Sequence, residues 1–149
     1  FLYSKESWEF IVEMYTNFAL YTPFIDYFWN IKNLHLPIFS LASLVSQIPE
    51  FKIIHSPSTG YAGFLASLLS FNRKKPLIIT EHGIYTMERK IDIMLDTDMF
   101  QDRRFFLYKT LGDSEHIKRV WIEFFMNLGK FAYDAAGFII SLFEDAQKL

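Results

Sequence analysis

The densest polar cluster in the chain is Thr80-Glu81-His82-Gly83-Ile84-Tyr85-Thr86-Met87-Glu88-Arg89-Lys90, which follows the apolar run Leu77-Ile78-Ile79. An imidazole with an ordinary pKa of about 6.5 changes charge near neutrality, so His82 is able to donate to a hydroxyl or to a charged phosphate. Glu81, Glu88 and Arg89 are expected to converge with His82 beside an apolar sheet, where polar groups need partners or a ligand. Metal chemistry fits poorly. Glu81 and His82 are adjacent and point apart on a strand, no His-Glu-x-x-His pattern exists, and no metal site is expected. A second candidate loop, His55-Ser56-Pro57-Ser58-Thr59-Gly60-Tyr61-Ala62-Gly63, sets hydroxyls and a glycine before a helix. Ser58, Thr59 and Gly60 there suit a phosphate, a sugar hydroxyl or a backbone cap. The plainer readings are a capped turn, in which Gly60 and Gly63 allow close packing, and a structural histidine at position 82. A P-loop ending, a Gly-x-Ser-x-Gly elbow and a Gly-x-Gly-x-x-Gly turn are all absent from the sequence.

Both loops gain meaning from the elements expected to carry them. Phe51 to His55 is a short β-branched run, Tyr61 to Phe71 repeats apolar residues at helical spacing, and Leu77 to Thr80 is a second run of strand length. Strand, helix and strand within about thirty residues make a parallel βαβ unit. Ile117, Val120, Trp121, Phe124, Phe125, Leu128, Phe131, Ala132 and Ala135 mark a long helix, and Phe138-Ile139-Ile140-Ser141 follows as a third parallel strand. The spacing of Trp121, Phe124 and Phe125 is that of a core face. Residues 89 to 111 read as mixed helix and loop outside the sheet, with Arg103 and Arg104 as solvated surface. His35 and His116 fall in helices, at the surface or its boundary. Upstream, Trp8, Ile11, Val12, Tyr15, Phe18 and Ala19 share one face of a helix that Ser4 or Ser7 caps. Phe24 to Leu36 and Ile38 to Ile48 read as two further helices, with Pro37 in the first turn of the second. The expected fold class is α/β. Ligands of such sheets bind beyond the carboxyl ends of the strands, where both polar loops fall.

With 149 residues, 51% apolar and 19% aromatic, the chain has the composition to pack a core and the length for one domain or a piece of one. Seventeen acidic against fifteen basic side chains give a net charge of −2, which offers no general attraction to nucleic acid, so no such partner is expected. The absence of cysteine removes disulfide and thiolate chemistry and suits a reducing compartment; the cytoplasm is the expected location. Charged residues between Phe1 and Tyr21 argue against an export signal. The longest apolar runs, Leu36 to Val45 and Tyr61 to Phe71, are well short of the roughly 20 residues that span a bilayer. An opening Phe instead of Met, and a helical pattern still running at Asp145–Leu149, suggest a piece of a longer protein.

The string at 55–63, the block Pro76-Leu-Ile-Ile-Thr-Glu-His-Gly-Ile-Tyr-Thr-Met-Glu-Arg-Lys-Ile-Asp-Ile93, and the later pieces Trp121–Phe125, Leu128-Gly129 with Tyr133, and Ile139–Glu144 together resemble the PelF-like family-four glycosyltransferases of the Pel exopolysaccharide type. The resemblance covers about residues 50–149. It implies that 1–149 is much of the Rossmann-like N-terminal, acceptor-side domain of a GT-B enzyme, a parallel sheet with flanking helices. A C-terminal domain of the same chain would hold most of the donor. The implied reaction is retaining transfer of a sugar from a UDP-sugar, UDP-glucose by family inference, to a carbohydrate acceptor, with no cofactor beyond that donor substrate. Membrane-associated polysaccharide synthase components are the further partners implied. His82 matches the family histidine that reaches the donor sugar, which gives it the catalytic role. Ser58, Thr59, Gly60, Glu81, Gly83, Tyr85, Glu88 and Arg89 are the expected substrate-binding residues. An alternative from another class is a non-catalytic assembly module that docks a protein partner through the aromatic helices near the N-terminus.

Overall fold

A computed structural model of the chain describes residues 4–20, 22–95 and 111–142. The elements run α1 (Lys5–Phe18), α2 (Phe24–Leu44), β1 (Ile54–Ser56), α3 (Gly60–Arg73), β2 (Leu77–Glu81), α4 (Tyr85–Leu95), α5 (Leu111–Ala135) and β3 (Phe138–Ser141). The strands form one parallel sheet in the order β1-β2-β3, so the expected α/β class and third parallel strand are both present. Strand β1 is shorter and lies further along the chain than the 51–55 run predicts. Pro76 has no N–H to contribute, so the ladder starts beyond it: Ile54 pairs with Leu77, and the Ile54 N–H donates to the Pro76 carbonyl at 3.0 Å.

The sheet is covered on one face by α3 and α5. Alternation along β2 turns Leu77, Ile79 and Glu81 to that face, and Leu77 and Ile79 are fully buried against Ala66 and Ala132. Burying an isoleucine such as Ile79 contributes roughly 1.5–3 kcal/mol. Small residues let the two helices meet over the sheet; a Cβ on Gly63 would lie 2.9 Å from the Ala132 Cβ. On the other face the partners Ile78 and Phe138, with Thr80 and Ile140, lie away from these helices. Phe138 there is 69% exposed. His55, also on this face, bonds through Nε2 to Thr80 Oγ1 at 2.8 Å.

The N-terminal helices dock on the first half of α5. Ile11, Ala19, Tyr27 and Ile117 form a buried cluster, edged by Tyr15, Phe24, Phe28 and Trp121, and the Trp121 indole donates to Asn30 Oδ1 at 3.0 Å. Ser4 is the cap of α1, its hydroxyl accepting from the Ser7 N–H. The buried stripe of α1 is narrower than its apolar face: Trp8, Val12 and Phe18 remain exposed.

The two helices expected on either side of Pro37 are one continuous helix, with the proline in its interior. An interior proline is disfavoured by about 3 kcal/mol. Here the apolar residues on both sides of it pack inward, Leu34 fully buried and Ile38 against the Ile93–Phe125–Leu128 cluster, and this packing outweighs the local preference. The turn that follows the helix is held by Arg73, which donates to the Ile48 carbonyl at 3.0 Å and pairs with Glu50. The segment expected to be mixed helix and loop opens as α4, while 96–110, with Arg103 and Arg104, and Asp145–Leu149 lie outside the described residues. Among the described residues no helix is long and apolar enough to cross a membrane.

Candidate functional site

Because β1 and β2 are parallel neighbours, with Ser56 opposite Ile79, their carboxyl ends reach one rim of the sheet and deliver both polar loops there. The two loops touch. Gly60 has φ of +72°, a left-handed conformation that side chains resist, and a Cβ at this position would come within 2.5 Å of the Tyr85 ring. Only glycine satisfies both constraints, so Gly60 and Tyr85 form the seam between the corners.

The first corner satisfies most of its own polar groups. Ser56 Oγ donates to the Ser58 carbonyl at 2.6 Å, and Ser58 Oγ to the Thr59 carbonyl at 3.2 Å. Thr59 and Gly60 are buried, and Ser58 is half-buried. Thr59 is the N-cap residue of α3, yet its hydroxyl makes no capping bond; Oγ1 is enclosed, facing α5 near Gly129 and the Tyr133 hydroxyl. The hydroxyls expected to meet a phosphate or a sugar are thus mostly turned inward, and Ser58 is the one that remains at the surface.

The second corner divides its acid and its imidazole. The period of two along β2 sends Glu81 to the helix-covered face, where it is 4% exposed, and leaves His82 exposed at the rim. Glu81 Oε1 accepts from the Tyr133 hydroxyl at 2.9 Å, while Oε2 is buried without a partner. Burial pushes the Tyr133 phenol well above the usual tyrosine range; its hydrogen bond to Glu81 and the charge of that carboxylate push it further, and the neighbouring Thr59 hydroxyl opposes them. Tyr133 therefore stays a hydrogen-bond donor throughout the neutral range.

The remaining expected residues separate from this pair. Glu88, on the first turn of α4, folds its carboxyl over Gly83, where any side chain would collide with it. Arg89 turns toward the helices: its guanidinium lies 5.0 Å from the Phe125 ring centre and its Nη1 is 3.4 Å from Asp92, a partly exposed pair of small energetic weight. Arg89 also lies close enough to Tyr61 to draw that phenol's pKa down, against the larger upward push of burial and a further push from Tyr85. The expected convergence of Glu81, His82, Glu88 and Arg89 thus resolves into Glu81 inward, His82 outward with Gly83 and Glu88 beside it, and Arg89 over an aromatic ring. Among the described residues no three His, Cys, Asp or Glu side chains are grouped to hold a metal ion.

Tyr133 is the residue that motif reading left without a role from its own chemistry. A signal for it was present: an acid placed by strand alternation among Leu77 and Ile79 must be buried, and a buried carboxyl requires a donor. The donor sits on α5, whose Ala132 packs against the same face of β2. No curated protein and no solved structure matches the chain. One family model does match, over residues 1–149, and the chain accordingly belongs to the family described as domain of unknown function DUF3492.

Proposed function

We propose that this chain is the Rossmann-like N-terminal domain of a GT-B glycosyltransferase that transfers a sugar, with retention of configuration, from UDP-glucose or a related UDP-sugar in exopolysaccharide synthesis, as the resemblance to the PelF-like enzymes implies. The observation that supports this reading is the juxtaposition of the two strand-end corners at one rim, joined by the Gly60–Tyr85 contact, with His82 exposed directly after β2. A departing diphosphate gains negative charge in the transition state, and a histidine donor fixed at a strand end stabilises charge that develops there. The rim's other groups have shaping roles. Ser58 and Gly83 border the entrance, Glu88 braces the turn that carries His82, and Thr59, Gly60 and Tyr85 fix the distance between corners. Arg89 holds α4 against α5.

Catalysis in this reading requires a second domain to close on the sugar, since positioning and water exclusion come from both walls of a cleft. The isolated 149-residue chain is expected to bind a nucleotide sugar weakly and to transfer nothing. The test is His82→Ala in the intact protein: turnover falls at least tenfold, about 1.4 kcal/mol of transition-state stabilisation, with the thermal melt unchanged. Unchanged turnover returns His82 to a structural role. A second reading, an assembly module, is favoured by the exposure of Trp8, Phe10, Phe18 and Trp29 on α1, its C-terminal end and α2. Under that reading charge-bearing substitutions at Trp8 and Trp29 abolish partner capture, and His82→Ala changes nothing measurable.

A further inference from the structure

Between the carboxyl ends of β2 and β3, the start of α4 and the body of α5 lies a cavity of about 380 Å3, within the range of roughly 300–1,000 Å3 usual for small-molecule sites. Its walls are of two kinds. Met87, Met126 and Ile139 supply apolar surface, and Glu81, Tyr133 and Ser141 supply polar groups at one end. Glu81 is 96% withdrawn from solvent, lines this space, and has one carboxyl oxygen bonded to Tyr133 and the other to nothing. A buried carboxyl oxygen without a donor is costly, and a ligand that brings the donor offsets that cost. The Tyr133 hydroxyl, donating to Oε1, orients the carboxyl before any ligand arrives.

We propose that this cavity is a binding site for a single sugar ring, with a ring hydroxyl donating to Glu81 Oε2 and the carbon–hydrogen face of the ring against the two methionines and Ile139. The chemistry selects such a ligand from both ends. A purely apolar occupant leaves the oxygen unpartnered, and a metal ion finds one acid and no second or third ligand of its kind. A pyranose carries hydroxyl donors on its rim and apolar faces on its ring. The choice of a sugar rests on the glycosyltransferase reading; the cavity and its unpartnered acceptor do not. The site lies inward of His82, on the opposite side of the strand, so it receives a carbohydrate unit distinct from a sugar held at the exposed imidazole.

The test uses the full chain with methyl-labelled methionine, titrated with methyl β-D-glucopyranoside, and with cyclohexanol as an apolar ring that offers a single hydroxyl. Met87 and Met126 are expected to shift saturably with the glycoside, while Met14, in the α1 cluster, stays still. Glu81→Gln, which keeps an acceptor for Tyr133 but presents an amide N–H to the cavity in place of the free acceptor, weakens the glycoside roughly tenfold or more. Met87→Trp, filling the cavity from its exposed edge with the acid left in place, abolishes the Met126 shift and covers the case in which the Glu81 variant fails to fold. The inference is overturned if the methionines do not move, if cyclohexanol binds as tightly as the glycoside, or if binding ignores both substitutions. Failure here with measurable sugar transfer by the intact protein removes this site alone; glycoside binding without any transfer removes the glycosyltransferase reading and leaves the site.

Discussion

The corner after β1 and the corner after β2 are neighbours on one rim, and they treat their polar groups in opposite ways. The first has the richer run of hydroxyls, yet Ser56 and Ser58 bond to backbone carbonyls of their own loop and Thr59 and Gly60 are covered. The second has fewer hydroxyls and leaves two groups unused, the exposed His82 and the buried Glu81 Oε2, whose residue lines the partly open cavity. A loop's content of Ser, Thr and Gly therefore measures how well it can satisfy itself as much as how well it can hold a ligand. What marks the second corner is that its unused groups border solvent or a cavity, whereas Thr59 Oγ1 in the first is closed in against α5.

Substitutions at the seam should break this contrast most severely. Gly60→Val demands a left-handed valine and drives its side chain into the Tyr85 ring, so a loss of about 2–4 kcal/mol is expected, read as a lower midpoint in chemical denaturation. A loss below about 1 kcal/mol means that the corners are not locked together as described. Next in size is Tyr133→Phe, which leaves both Glu81 carboxyl oxygens unpartnered and should lower stability by about 1–3 kcal/mol.

The same residue carries a pH signature. Since the folded phenol's pKa is raised above the unfolded value near 10, the folded state retains its proton where the unfolded state releases it. The stability contributed by neutral Tyr133 is present below pH 10 and is lost as pH rises from there toward the folded pKa. Tyr133→Phe should flatten the alkaline fall in denaturation free energy; an unaltered slope contradicts the buried phenol–carboxyl pair.

Legibility in the sequence followed the same division. Periodicity located β2 and α3 to within a residue or two, and Leu77, Ile79 and Ala132 behaved as their spacing predicts because local preference and tertiary packing agree there. Pro37 misled because the packing of Leu34 and Ile38 on either side outweighs a local signal, which one-dimensional reading cannot weigh. In the site, the placement of Glu81 and His82 on opposite sides followed from strand alternation alone. The direction of Arg89 and the partner of Glu81 did not, since both depend on where α5 packs, through Phe125 and Tyr133 far along the chain, the latter 52 positions beyond Glu81.

Two smaller effects sharpen the contrast between histidines. His82→Ala should leave the melt of the intact protein within about 0.5 kcal/mol of the parent and take at least tenfold from turnover, as an exposed residue with a task in the reaction does. His55→Ala, exposed on the face away from α3 and α5 and bonded to Thr80, should change neither stability beyond about 0.5 kcal/mol nor turnover beyond twofold. Equal kinetic effects at the two positions mean that the rim has no special standing.

The most direct test of the central claim is a crystal structure of the intact protein with its nucleotide-sugar donor bound. The account predicts the donor sugar at the carboxyl ends of β1 and β2, with the His82 imidazole within about 3.2 Å of a sugar or phosphate oxygen. A donor seated at the opposite ends of these strands, or one that leaves His82 uncontacted in the closed state, contradicts it.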